Sequence, residues 1–169
     1  PRRIPEPSKP SGKLHVIWRP QLRGAPKSGS TGSVIYVLDT TAVSAAMRFD
    51  REMLAFLRAR RPGRITTVPP VVAEIEYGIA RLPPNTKKRG LLEAEKERLL
   101  SAIPVLNWSP DASRRFGATK ASLESSGMLI DDFDVAVAAI AMAHGAEVVT
   151  ANLVHFSRVE GLAVRHWTE

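Results

Sequence analysis

The side chains of this chain best suited to chemistry are acidic, and they lie where predicted strands end and a buried helix begins. Asp39 follows the apolar run VIYVL, which is typical of a buried parallel strand. Asp131, Asp132 and Asp134 crowd the start of a predicted helix that continues as the apolar run Val135–Ala143. Carboxylates this close repel one another, and a bound divalent cation would relieve the repulsion. The pattern therefore favours a metal site that activates water.

These aspartates also have a structural interpretation. Asp39 could simply cap the next helix by accepting hydrogen bonds from amides near Thr41. Helix N-termini favour negative charge by about 0.3–1 kcal/mol per group, which accounts for one or two of the three clustered aspartates. It accounts least for Asp134, which lies beside the apolar run and would be partly desolvated.

A third acidic position falls in the segment AEIEYG, residues 73–78, within a helix that Pro69-Pro70 opens and that runs to about Leu82. Glu74 and Glu76 flank its buried stripe on opposite sides, so spacing alone does not choose between them. A solvated surface glutamate is the alternative for either.

Asn152 follows the predicted strand Glu147–Thr150 and adds a polar side chain at a strand end. Asn in a loop is more often a turn residue. His155 is interpreted as a packing or surface residue, because a lone histidine is of intermediate burial.

Other chemistries are excluded or lack support. The chain has no cysteine, which excludes disulfides and thiolate ligands and fits a reducing cytoplasm. No Ser–His arrangement and no phosphate-cradling glycine loop are apparent. The longest apolar run, Val135–Ala143, is too short to span a bilayer, and no apolar segment follows the basic N-terminus as in a secretory signal. We therefore expect no membrane association.

Strands and helices alternate along the chain, which predicts an α/β fold: three α/β/α layers with a central, mainly parallel sheet. Functional sites in such sheets form at the carboxyl ends of the strands. The predicted strands are Val34–Asp39, Arg64–Val68, Pro104–Trp108, Glu147–Thr150 and Leu162–His166, and the predicted helices cover residues 51–60, 69–82, 91–102, 109–124 and 131–144.

Charge divides the chain into two parts. Residues 1–33 hold seven Lys or Arg and one Glu, a net charge of +6, and end in a Gly/Ser linker. Residues 34–169 hold seventeen Lys or Arg and sixteen Asp or Glu, a net charge of +1. We therefore predict a basic tail and linker over 1–33 and one globular domain over 34–169.

Four motifs in order resemble the PIN-domain toxins of the VapC type, from prokaryotic toxin–antitoxin pairs. They are YVLDT at 36–40, AEIEYG at 73–78, IDDFDVAVAAIAMAHG at 130–145 and VVTANLVHF at 148–156. Each is weak alone, but their order from Val34 to the C-terminus makes the resemblance specific.

The resemblance implies a ribonuclease domain in which Asp39, Glu74 and Asp134 bind Mg²⁺ or Mn²⁺ and carry catalysis. Two positions depart from the family: Thr41 stands where Asn is common, and Asn152 where some members have Asp. A neutral Asn152 weakens a two-metal arrangement, and Asp132 becomes a substitute ligand to consider.

The implied activity is that of a toxin that cleaves structured RNA, tRNA or rRNA, and so stops translation and growth. Exposed basic side chains such as those of Arg58–Arg64 would recognise the RNA. The implied partners are this RNA, a cognate antitoxin, and a second copy in a homodimer or toxin–antitoxin hetero-oligomer, in the cytoplasm. The alternatives are a housekeeping PIN nuclease in RNA maturation and a catalytically silent PIN-like binding module.

Residues 1–33 precede the point at which such toxins normally begin. We hypothesise that residues 1–27 are an antitoxin-derived inhibitory segment, in which Trp18 anchors in an apolar groove and Arg19 or Arg23 pairs with the acidic site. The alternative is a basic leader that assists RNA binding.

Overall fold

The computed structural model describes residues 34–169, and the predicted tail lies outside the described residues. The described part is the α/β fold expected from the sequence, with a parallel sheet flanked by helices. The strands are β1 (Ile35–Leu38), β2 (Ile65–Thr66), β3 (Ala146–Val149) and β4 (Val164–Arg165). The helices are α1 (Thr40–Met47), α2 (Arg51–Arg58), α3 (Pro69–Ala80), α4 (Lys87–Leu100), α5 (Pro110–Ser125), α6 (Asp132–Ala143) and α7 (Leu153–Phe156), with a short 3-10 helix at Pro62–Arg64.

The order of the strands places a crevice between β1 and β3. All neighbouring strands are parallel, in the order β2-β1-β3-β4. The chain therefore moves from β1 to one side of the sheet, and later continues from β3 to the other side. In open parallel sheets, ligands bind where the strand order reverses in this way, at the carboxyl ends of the two strands. Asp39 and Thr150 directly follow β1 and β3.

The core explains why the central strands are so apolar. Val37, Leu38, Val148 and Val149 are fully buried, because helices cover the central strands. Helix α6 is almost wholly buried from Val135 onward, so its first turn is held rigidly against the sheet. Among residues 34–169, no helix is long and apolar enough to cross a membrane.

The predicted strand Pro104–Trp108 is wrong. Only a single parallel bridge forms there, between Thr67 and Val105. The Thr67 amide donates to the Pro104 carbonyl at 3.1 Å, and the Leu106 amide donates to the Thr67 carbonyl at 2.8 Å. The segment pairs with the sheet only at Thr67, just after the edge strand β2, and both Val105 and Trp108 remain exposed, so the bridge does not extend into a longer ladder. Helix α4 begins earlier than expected, at Lys87, because Thr86 caps it by accepting from the Arg89 amide.

Candidate active site

Asp39 is a buried carboxylate at the carboxyl end of β1, with only 4% of its surface exposed. Its Oδ1 accepts hydrogen bonds of 2.8 Å from the Ala42 amide and from the Thr41 hydroxyl. Its Oδ2 accepts a 2.6 Å hydrogen bond from the hydroxyl of Thr150, the first residue after β3. Asp39 thus caps α1, as the structural interpretation expects, and also joins the two strands that border the crevice.

Burial raises the pKa of Asp39 above its usual value, against the opposing effect of three hydrogen bonds, with Thr150, Ala42 and Thr41. The negative charge of Asp134 raises the pKa of Asp39 further. A carboxylate that only capped a helix would sit in solvent with no second acid beside it. This one is desolvated and electrostatically coupled to another acid, which is the situation that a bound cation stabilises.

Asp134 occupies the first turn of α6 and is partly buried, its side chain 23% exposed. Burial raises its pKa, contact with His155 lowers it, and the charge of Asp131 raises it. Nδ1 of His155 lies 3.2 Å from Oδ2 of Asp134 and 2.7 Å from Nδ2 of Asn152. The predicted polar residue Asn152 thus reaches Asp134 through an imidazole that we had interpreted as packing.

The structure distinguishes the two glutamates of α3. Glu74 Oε2 accepts a short hydrogen bond from the hydroxyl of Thr40, the residue that follows Asp39. Glu76 instead accepts from Lys96 of α4 at 2.5 Å. Glu74 therefore faces the carboxyl end of β1, and Glu76 joins two helices.

Asp132 is placed differently from the other predicted ligands. Its carboxylate forms a 2.7 Å ion pair with Lys120 of α5 and is 60% exposed. Asp131 caps α6 through a 2.8 Å hydrogen bond from the Phe133 amide. The structure does not bring either side chain together with Asp39 and Glu74.

The carboxylate oxygens of Asp39, Glu74 and Asp134 are the type of ligand that binds a hard divalent cation. Each carboxylate oxygen accepts two hydrogen bonds, and Asp39 Oδ2 uses one of its two positions. Glu74 Oε1 and Asp134 Oδ1 have no partner within residues 34–169. Every acid of the trio thus keeps one open oxygen position, and carboxylate oxygens are the ligands that Mg²⁺ and Mn²⁺ prefer. As placed within residues 34–169, no three acidic or histidine side chains are close enough together to hold a metal.

The sequence analysis did not predict the roles of three threonines and one histidine in the site. Thr40, Thr41 and Thr150 donate to the carboxylates, and Thr41 Oγ1 also accepts a 2.9 Å hydrogen bond from the Ala151 amide. The signal for the threonines was position: Thr150 directly follows β3, and Thr40 and Thr41 lie two and three residues after the end of β1.

Comparison with known proteins agrees with this geometry. The PIN domain profile matches residues 36–162. The chain is 34% identical over 119 residues to the VapC ribonuclease Y4jK of Sinorhizobium fredii, covering 68% of this chain and 84% of that protein. It is 26% identical over 138 residues to ribonuclease VapC2 of Rickettsia felis, covering 79% of this chain and 98% of that protein. The crystal structure of Rickettsia felis VapBC2 bound to a promoter DNA fragment superposes with a TM-score of 0.69, at 25% identity, over 79% of this chain and 99% of that one.

The chain therefore belongs to the PIN-domain family. Within that family, the relatives it matches are VapC ribonucleases. The match covers the region from β1 almost to β4, and so includes all three acids of the site.

Proposed function

We propose that this chain is the toxin of a toxin–antitoxin pair: a Mg²⁺- or Mn²⁺-dependent endoribonuclease that cleaves structured RNA, tRNA or rRNA, and so arrests translation and growth. The observation that supports it most is the buried carboxylate of Asp39, which joins the ends of β1 and β3 at the carboxyl edge of the sheet, with Glu74 accepting from the adjacent Thr40. The ribonuclease activity of the VapC relatives agrees with this chemistry.

The acids have distinct tasks in this proposal. Asp39, Asp134 and Glu74 would hold the cation, with Asn152 as a further candidate ligand; Asp132, which pairs with Lys120, is not part of this set. When bound, the cation supplies an activated water and neutralises charge on the phosphate. Thr150 and Thr41 fix the Asp39 carboxylate, so that little reorganisation is required when substrate binds.

His155 would keep Asp134 in one orientation. An ionised Asp134 accepts a hydrogen bond from a protonated His155 Nδ1. A carboxylate held by such a contact presents its other oxygen in a defined direction. The exposed imidazole edge remains available to solvent or to substrate, since 43% of the His155 side chain is exposed.

The direct test is metal-dependent cleavage. Purified full-length chain is incubated with total tRNA and rRNA in EDTA and after addition of Mg²⁺ or Mn²⁺, and the 5′ ends of the products are sequenced. We expect discrete cuts only with the cation. Absence of cuts with either metal, both by the full-length chain and by a variant without residues 1–33, each folded by circular dichroism, contradicts the proposal.

A cognate antitoxin, cytoplasmic action and homodimerisation belong to the same proposal. The neighbouring structure is a VapBC2 complex, which supports an antitoxin as partner. Sedimentation at micromolar concentration, with and without the co-expressed neighbouring gene product, should show a dimer or a hetero-oligomer. A monomer in both samples contradicts this part of the proposal.

A further inference from the structure

The segment joining α2 to β2, residues 58–64, contains four arginines and no acid. Arg58 and Arg61 are exposed, and Arg60 is partly buried. Within residues 34–169, no carboxylate forms an ion pair with these three arginines. Seven basic side chains elsewhere in the described domain do form ion pairs: Arg89, Lys96, Arg98, Arg114, Arg115, Lys120 and Arg165. Arg58, Arg60 and Arg61 thus form a local concentration of positive charge without an ion-pair partner among residues 34–169, in a domain of net charge +1.

Arg60 gives this segment a fixed cation. Its guanidinium carbon lies 3.4 Å from the ring centre of Phe56 and 4.9 Å from that of Tyr36. Its Nη1 donates to the Phe56 carbonyl at 3.1 Å, and its Nε is buried without a hydrogen-bond partner among the described residues. Aromatic faces therefore hold the guanidinium in place without an acid to neutralise it, and a pre-ordered cation loses little entropy on binding an anion.

The topology sets this segment apart from the acidic site. The 3-10 helix Pro62–Arg64 immediately precedes β2, and β2 runs parallel to β1 and β3. The arginines therefore lie towards the amino ends of the strands, whereas the acidic site lies at the carboxyl ends. The four residues of β1 separate the two edges by roughly 13 Å. The tail of charge +6 also joins the domain at this amino edge, before Val34, and its like charge cannot neutralise the arginines.

We propose that Arg58, Arg60 and Arg61 form a second binding site, for backbone phosphates of the substrate RNA, away from the point of cleavage. The proposal rests on the proposed function, because it assigns this site to the same RNA. Phosphate groups match the bidentate geometry of guanidinium, and contacts at both edges of the sheet require an RNA that extends several nucleotides beyond the cut. The site thus selects long, structured RNA over short fragments.

The test compares two double variants of the full-length chain. R58Q/R61Q removes two exposed, unpaired arginines, and R114Q/R115Q makes the same change in net charge at arginines that pair with Asp111. Arg60 is left intact because its ring contacts also support the fold. Binding is measured in EDTA by fluorescence anisotropy with a labelled RNA hairpin of about 16 base pairs, the span of a double-stranded-RNA-binding domain, and with a single-stranded hexanucleotide. The tail is present in every protein, so its contribution cancels in the comparison.

For R58Q/R61Q we expect the hairpin dissociation constant to rise about tenfold, with the slope of log affinity against log salt shallower by about two. Hexanucleotide binding and metal-dependent hexanucleotide cleavage should stay at the level of the unmodified chain. An unchanged hairpin affinity, or an equal loss in R114Q/R115Q, overturns the second site. If neither the unmodified chain nor a variant without residues 1–33 cleaves RNA with either metal, the proposed function fails, and the binding comparison still decides whether the arginines contact phosphate.

Discussion

His155 and Asp134 are 21 positions apart and meet through a single nitrogen, with His155 Nδ1 lying 3.2 Å from Asp134 Oδ2. The same nitrogen contacts the side-chain amide of Asn152 at 2.7 Å. Because Nδ1 carries at most one proton, donation to an ionised Asp134 requires the Asn152 amide to turn its oxygen to the ring. This relationship makes the two ring nitrogens of His155 experimentally distinguishable.

Replacing His155 by Asn or by Gln should separate the role of its Nδ1 from that of its Nε2. The amide nitrogen of Asn lies close to the position of Nδ1, so H155N keeps a donor for Asp134, whereas H155Q reaches only the position of Nε2. We expect H155Q to lose about 10- to 100-fold in kcat and in Mn²⁺ affinity, as other residues that orient metal ligands do, with KM unchanged. H155N should retain most of both. Mn²⁺ binding is measured by electron paramagnetic resonance and cleavage by initial rates.

The control for His155 is H144A, since His144 contacts only the Asn107 carbonyl, at the far end of α6. It should match the unmodified chain in both measurements. Equal activity of H155N and H155Q would show that His155 does not act through Asp134.

The three acids should be individually essential for cleavage. D39N, E74Q and D134N each remove a negative charge from the proposed cation site, and we expect each to abolish Mg²⁺-dependent cleavage and to relieve growth inhibition on expression. E76Q is the matched control on the same helix, because Glu76 pairs with Lys96 away from the site. Cleavage is followed on gels, and growth by colony counts. Full activity in any of the three variants would remove that residue from the site.

The metal-free protein should lose stability as the pH rises, through the contribution of Asp39. Its native pKa is raised above 3.8 by burial, so the native state binds this proton more tightly than the unfolded chain does. This contribution to the free energy of unfolding is therefore present at low pH and lost as the pH rises through the raised pKa. Urea unfolding in EDTA should show the unmodified chain losing stability relative to D39N as the pH rises above about 4.

At neutral pH, Mg²⁺ should reverse the loss of stability of the unmodified chain relative to D39N, because a ligand that binds only the native state stabilises it. The melting temperature of the unmodified chain should rise with Mg²⁺, and that of D39N should not. An equal rise in both proteins would place the cation away from Asp39.

Removing residues 1–33 should decide between the two interpretations of the tail, which lies outside the described residues. An apolar groove lined by Met47, Ile75, Ile79 and Leu92 runs beside Glu74, and it is where we would expect Trp18 to bind, with Arg19 or Arg23 near the acids. If the tail inhibits, the deletion raises RNA cleavage and toxicity, and W18A reproduces part of the gain. Lower activity or weaker RNA binding after deletion would instead identify an RNA-binding arm.

Much of the fold could be predicted from local patterns. The runs VIYVL and Val135–Ala143 are apolar over their whole length, which predicts a central strand and a core helix that are buried from both sides. The segment at 104–108 has similar composition, yet it only touches the end of β2. Whether a short apolar segment pairs with a strand depends on the length of its neighbour, which composition does not reveal.

The acids of the site could be predicted from the sequence, but the hydrogen bonds that connect them to other side chains could not. Asp39 and Asp134 stood out because carboxylates beside apolar runs are costly. Glu74 and Glu76 were equivalent by spacing, and only the contact with Thr40 on another helix separates them. The role of His155 depends on a contact with Asp134 on another helix, which no local pattern contains.

The hydrogen bond from Thr150 to Asp39 spans 111 positions, and the Ala151 amide closes a similar loop onto Thr41. A ribosome that has translated only as far as α5 has made Asp39, Thr41 and Glu74, but neither β3 nor Thr150. In such a nascent chain β3, the strand that borders Asp39, is absent. The carboxylate is then exposed to water beside a sheet that lacks β3 and β4. Under the proposed function, the nascent chain therefore stays inactive at least until β3 and Thr150 have been translated.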